Sequence, residues 1–489
     1  ITIRTPDPSI DKYPAKAHAQ RVANALGRAT GRIFLRGAQT AYYPRSDAPV
    51  PFRQDRDFYY LSGCNEPGCG VRYDVAADWL VLFLPRVEDY RRLFFDGRGS
   101  TVEEAVGRYD VDEARYWGGD EEEKAGDSEV WSFDDESGNS GECPHDRGTT
   151  RRQRHAELRQ ALDSCRAVKD EHELARIRKA NAVSAAAHVA ILQELPNLAR
   201  EDEVEAVYTR ACIAAGAHRQ SYAPICGAGP HAAQLHYVDN DGTLGEAGTL
   251  LVDAGAEWDL YASDVTRTVP VNARRPGHWA SVEAADVYAA VEAIQESCIA
   301  RIGPGVRFID VHWHAVHMCI DALLSLGILR GEHEDIFRAG TYLAFFPHGL
   351  GHHLGLEVHD VPPPSTHFRD RRIDSLPYDD DTTLSDPAFS GRLTAATLLA
   401  PNTPSSPPLR PGMVVTIEPG IYFNREVLDH EYLTHETHRR FIAAHVLARY
   451  MHVGGVRIED DVLVTHDGRD NLTTAPKGEQ ACKVVRGGA

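Results

Sequence analysis

The residues that most restrict this chain are acids set inside apolar, strand-like runs. In TLLVDAGAEWDLYASDVTRTVPV (249–271), Asp253 and Asp264 stand eleven residues apart, each in or beside a run that reads as a strand. A hairpin turning near Trp258–Tyr261 brings the two carboxylates opposite each other, where Cβ atoms stand about 4.5–5.5 Å apart. Two bare carboxylates at that range repel and raise each other's pKa, and a bound cation removes the cost. Glu418 closes the run VVTIE, and Glu459 heads the run EDDVLV. Alternation along a strand puts Arg457 and Glu459 on one face. Taken alone, the Asp pair reads equally well as two surface turn residues, and either Glu reads more readily as a surface residue or a salt-bridge partner.

The segment FFPHGLGHHLGLEVHDVP (345–362) adds His348, His352 and His359 among glycines. Neutral imidazole is a common metal ligand and a proton carrier near neutral pH. Glycine lets backbone approach a ligand closely. Together, Asp253, Asp264, His352, Glu418 and Glu459 make a donor set of four carboxylates and one imidazole. Oxygen-rich ligation of this kind suits two divalent ions, Mn²⁺ ahead of Co²⁺ or Zn²⁺. Two such ions roughly 3.5–4 Å apart activate a water and clamp both oxygens of a hydrolytic transition state.

A length of 489 residues implies two domains or more. In the first part, GRIFLRG (31–37), DFYYLSG (57–63) and ADWLVLFLP (77–85) read as strands, and Lys16 to Ala25 has helical spacing; no catalytic constellation stands out there. Residues 118–154 are acidic, rich in Gly and Ser and poor in aliphatics, and read as a mobile insertion. The stretch 154–195 places Leu174, Ile177, Val183, Ala187 and Ile191 at helical spacing and opens a second domain. Further helices are expected over 201–217, ended by Gly216, over 280–302, ended by the GPG at 303–305, and over 308–328, with strands at 413–423 and 454–466. A second interruption, 363–411, is rich in Pro, Ser, Thr and Asp and joins the histidine segment to Glu418.

Composition removes whole classes of partner. With 72 acids against 52 bases the net charge is -20, which argues against nucleic acid as the main partner. No run approaches the roughly 18 apolar residues of a membrane helix, so no membrane partner is expected. The opening ITIRTPDPS lacks both an initiator Met and a signal-peptide pattern. Nine scattered cysteines without a CxxC pair read as reduced thiols of a cytoplasmic protein.

The second half resembles metallopeptidase family M24, whose fold is called pita-bread, and within it the Xaa-Pro aminopeptidase and prolidase branch of eukaryotic, fungal-like type. The matching segments are QLHY (234–237), VDAGAEWDLYASDVTRT, HGLGHHLGLEVHD, TIEPGIY and VRIEDDVLVT, in family order, with His236 seventeen residues before Asp253. KDEHELARIRKAN (169–181) resembles the helix that opens the family's catalytic domain. RQDRDFYYLSGCNEP (53–67) resembles the branch's smaller N-terminal domain. The resemblance implies an α/β (α+β) chain: an N-terminal creatinase/aminopeptidase-P-like α/β domain over 1–165 and a pita-bread catalytic domain over 166–489.

It also implies roles. Asp253 would bind one metal and His352 the other, with Asp264 and Glu459 bridging. His352 takes this role over His348 because it precedes His359 by seven residues, as in the family. Glu418 would be both ligand and proton shuttle. His359 and His236 would stabilise the tetrahedral intermediate and place the substrate, His348 and Arg457 would orient it, and Tyr422 would line the pocket. The implied reaction is removal of a first residue from a following proline in proline-containing peptides, by a homodimer. A strict Xaa-Pro dipeptidase is the nearest alternative. A metal-free or non-catalytic use of the fold, or a side activity on another substrate such as an organophosphate, stands further off. Two departures from the family pattern are the long 363–411 loop, where Arg392 or Arg410 could stand for a family arginine, and the 41-residue separation of Glu418 from Glu459.

Overall fold

The computed structural model describes residues 12–86, 90–95, 97–117, 130–133, 147–245, 247–361, 401–403 and 406–488. The chain divides into two units, Ile1–Arg166 and Ala167–Ala489. In the first, strands β1 (Arg32–Arg36), β2 (Gly70–Asp74), β3 (Trp79–Leu84), β4 (Glu113–Tyr116) and β5 (Val130–Ser132) form one sheet in the order β4-β3-β2-β1-β5. The β1–β2 and β2–β3 pairs are antiparallel, whereas β1–β5 and β3–β4 are parallel.

One expected strand of this unit is a helix. Residues Arg56–Ser62 coil because Asp55 accepts the Phe58 N–H as an N-cap and Gly63, at φ 63°, terminates the turn. The aromatic run DFYY carries strand propensity, but the caps and burial of every residue in the segment override it. Buried Asp57 then accepts bonds from Arg166, at 2.7 Å, and Arg159. The acidic 118–154 segment also departs from expectation where it is described. Its Val130–Ser132 is β5, with Trp131 fully buried, and the helix Arg147–Ala167 begins within it. The remainder of that segment lies outside the described residues.

The second unit opens with the helix Glu171–Glu194, capped by an Asp170–Glu173 box, and the five apolar positions picked out by spacing are all buried on it. The helix Glu201–Ala214 follows, and the chain leaves it through Gly216. Eleven strands among the described residues then form small antiparallel sheets. β6 (Arg219–Gln220), β9 (Ala256–Trp258) and β10 (Tyr261–Ala262) make one, and β7 (Ile225–Ala228), β8 (Thr249–Asp253) and β11 (Thr266–Pro270) another. β12 (Val414–Ile417), β15 (Asp460–Val464) and β16 (Arg469–Asn471) make a third, and β13 (Gly420–Tyr422) pairs with β14 (Gly455–Arg457). Two apolar cores support them. Leu250, Val252 and Val269 of β8 and β11 pack with Ile191 and Val204 of the two helices named above. Val415, Ile417 and Val456 pack with Val291 and Val316, from the helices Val282–Ile299 and Phe308–Ser325.

Candidate metal-binding active site

The expected hairpin turns where the sequence places it, with Trp258 opposite Tyr261. Its register differs from the simple midpoint, because Asp253 faces Thr266 rather than Asp264. Asp264 stands outside the ladder, and the Tyr222 hydroxyl joins the two acids, 2.6 Å from Asp253 Oδ1 and 2.5 Å from Asp264 Oδ1.

The two long strand predictions are each broken at their acid. β12 pairs with β15 as far as Ile417↔Asp460, and β13 pairs with β14 from Gly420↔Arg457. Between these ladders, the chain passes through Glu418 and Glu459 on facing segments. Thr266 bridges to Glu459 through the backbone and donates its hydroxyl to Glu459 Oε2 at 2.6 Å. On the other side, Glu418 N–H bonds Leu350 O and Thr416 N–H bonds His352 O. The histidine segment can lie this close only because a Cβ on Gly351 would stand 2.0 Å from the Thr416 carbonyl oxygen. Local pairing therefore draws Asp253, Thr266, Glu459, Glu418 and His352 together from four distant stretches of chain.

Asp253, Glu459, Glu418 and His352 line one cavity of about 410 Å³, together with Asp264, His236, His348, His359 and Arg457. Tyr422 stands behind the wall. His348 Nδ1 faces the Gly349 carbonyl, so its Nε2 accepts the Tyr422 hydroxyl at 2.8 Å, and that hydroxyl in turn accepts Arg457 Nη1 at 3.0 Å. Arg457 also holds Asp253 and reaches Thr266. Arg410 does not line the cavity, and Arg392 lies outside the described residues.

The electrostatics are those of a site short of positive charge. Burial pushes Asp264 up, and the neighbouring Asp253 charge adds to it. Burial, reinforced by Asp264, lifts Glu418 to about 7. Glu459 is held well above the ordinary carboxylate range by burial and by Asp264 and Glu418. Burial alone would lower His352, yet the Asp264 and Glu418 carboxylates at 3.3 and 3.5 Å hold it at about 9. His352 Nδ1 faces the His353 carbonyl, which fixes Nε2 toward those carboxylates. Burial and nearby Arg457 push His348 down to about 3.

These observations fit divalent cations. Ligating atoms of Asp264, His352 and Glu459 lie within 4.8 Å of one another. Among the described residues, Glu459 Oε1 is a buried oxygen without a hydrogen-bond partner. Tyr222 has one proton for two carboxylates, and the imidazole nitrogen faces two acceptors. Sequence reasoning missed Tyr222 and Thr266. Neither carries a signal of its own, since a tyrosine before a strand and a threonine within one are ordinary residues.

Known proteins place this geometry in context. Residues 17–123 match the aminopeptidase P N-terminal domain, and residues 175–466 match metallopeptidase family M24. A probable Xaa-Pro aminopeptidase of Pyrenophora tritici-repentis is 44% identical, over 98% of this chain and 72% of that protein. One of Paracoccidioides lutzii is 43% identical, over 100% and 93%. The structure is similar to zinc-substituted Escherichia coli aminopeptidase P in complex with product, at TM-score 0.72 and 24% identity, over 97% and 98% of the two chains. With residues 175–466 matched by the family and relatives above 40% identity across nearly the whole chain, the chain belongs to metallopeptidase family M24.

Proposed function

We propose that this protein is an Xaa-Pro aminopeptidase working with two divalent ions, Mn²⁺ ahead of Co²⁺ or Zn²⁺. The observation that carries the reading is the meeting of four carboxylates and His352 at one cavity, with Glu459 Oε1 left without a hydrogen-bond partner among the described residues. Asp253 would hold one ion and His352 the other, Asp264 and Glu459 would be shared, and Glu418 would join the second. When bound, such ions acidify a water and polarise the scissile carbonyl. Glu418, lifted by burial to about 7, suits a proton shuttle between water and leaving nitrogen.

The residues around it would place the peptide. His236 and His359 stand at the cavity wall, where an imidazole can meet a carbonyl oxygen. Leu235, Val238 and Val358 give that wall apolar surface on which a proline ring can rest. An X-Pro amide has no N–H and a fixed ring, so recognition by shape suits it better than backbone pairing. Arg457, committed to Asp253 and Tyr422, supports the frame on which His348 faces the cavity. We place the protein in the cytoplasm as a homodimer, with domains over 1–165 and 166–489. No described helix is long and apolar enough to cross a membrane.

The test is metal analysis of the purified protein beside an assay of Gly-Pro and an X-Pro-X tripeptide with Mn²⁺. Cleavage of both is expected. Turnover of the dipeptide alone would make the protein a strict dipeptidase, and turnover of neither would end the proposal.

A further inference from the structure

The cavity wall bearing Leu235, His236 and Val238 belongs to the stretch 229–242, which pairs with no strand among the described residues after its opening turn, Gly229–Ala233. It is held from behind by Glu201, the first residue of the helix Glu201–Ala214 and fully buried. Glu201 Oε1 accepts the Ala228 N–H at 2.7 Å and faces His231 Nδ1 at 2.9 Å. Its Oε2 accepts the Tyr237 hydroxyl and the Gly242 N–H, both at 2.7 Å. A carboxylate offers about four lone-pair positions and no donor, so this site is saturated, and an amide would not serve. One helical turn on, Glu205 accepts from Asn240, whose side chain also bonds Cys226 N–H and the Pro224 carbonyl. The helix thus grips both ends of the stretch.

Tyr237 is buried and points back to Glu201, while its neighbours His236 and Val238 are exposed and line the cavity. We propose that Glu201, acting through the Tyr237 hydroxyl, is the positioning residue that aims His236 and the apolar wall at the substrate. The inference rests on the reading of this cavity as the peptide site. Neither residue touches the carboxylate cluster, so metal uptake should not depend on them.

Tyr237→Phe removes only the hydroxyl, and Glu201→Gln sets an amide against the donors. Four quantities are measured on each full-length variant: bound Mn²⁺, kcat, KM for an X-Pro-X tripeptide, and amide hydrogen exchange. Tyr237→Phe should lower kcat/KM about tenfold, mostly through KM, with metal content unchanged and faster exchange confined to 229–242. Glu201→Gln should show the same pattern more strongly. Wild-type kinetics in Tyr237→Phe would overturn the assignment. So would faster exchange throughout the unit, or loss of metal, since either marks a general structural role. Should the wild-type protein cleave no peptide, the functional reading fails by itself. The anchor is then judged by exchange alone, where an unchanged 229–242 overturns it.

Discussion

Arg457 Nη2 lies 2.5 Å from Asp253 Oδ2, and both side chains are buried. The guanidinium neutralises one acid of a crowded cluster and, through Tyr422, sets His348. Removing one partner of such a buried pair costs about 3–5 kcal/mol. Arg457→Met should therefore lower the melting temperature and kcat/KM together. Arg457→Lys should restore little, because an ammonium cannot reproduce the fork to Asp253 and Tyr422. A lysine variant with wild-type kinetics would count against this account.

Asp264 stands at the centre of the cluster, 3.3 Å from His352 and joined to Asp253 by Tyr222. Asp264→Ala should take up less than one ion per chain by elemental analysis and lose activity by at least about a thousandfold. Treating the wild-type protein with a chelator should have the same effect, reversed by Mn²⁺. Activity that survives the substitution would sink the metal mechanism.

Metal affinity should rise with pH. The Glu418 pKa is raised to about 7, so its contribution to the metal-free fold is present below about 4.5 and lost as pH rises through 7. His352, raised to about 9, likewise contributes below 6.5 and loses that contribution as pH rises through 9. Both must shed protons to a cation. The gain in melting temperature on adding Mn²⁺ should be larger at pH 8 than at pH 5.5, and activity should be neutral to alkaline. A shrinking gain, or a rate maximum well below pH 5, would contradict the assignment.

Gly351→Ala should be severe for its size. The added methyl would meet the Thr416 carbonyl oxygen at 2.0 Å, forcing apart the two stretches that carry His352 and Glu418. A loss of about a hundredfold or more in kcat is expected, since displacements near 1 Å have effects of that order. Kinetics within a few-fold of wild type would show that the approach can relax without harm.

His312 predicts acid sensitivity away from the carboxylates. It is buried against Trp313 and Phe346, with Nδ1 unpartnered among the described residues, and burial lowers its pKa to about 4. A folded pKa below the unfolded 6.5 contributes stability above 6.5 that is lost as pH falls toward 4, at about 1.4 kcal/mol per unit. His312→Leu should flatten the acid limb of stability, read from denaturant melts at pH 7 and pH 5. An unchanged pH 7-to-5 difference would remove His312 from the cause.

Helical periodicity and apolar runs were legible in the chain because they are local. Leu174, Ile177, Val183, Ala187 and Ile191 are all buried, and Val183, Ala187 and Ile191, four residues apart, pack into one core as helical spacing requires. Arg56–Ser62 was misread because its strand-like aromatics outweigh, on paper, two caps whose worth depends on the surrounding core. By itself the sequence determined which residues are candidates for the chemistry, since acids inside strands and histidines among glycines are costly unless used. Only the tertiary structure decided how they meet. The pairing breaks at Glu418 and Glu459, the Tyr222 link between Asp253 and Asp264, and the grip of Glu201 on the His236 wall all depend on register between segments far apart in the chain. Register between such segments is fixed by packing and turn geometry across the whole unit, and no window of sequence contains it.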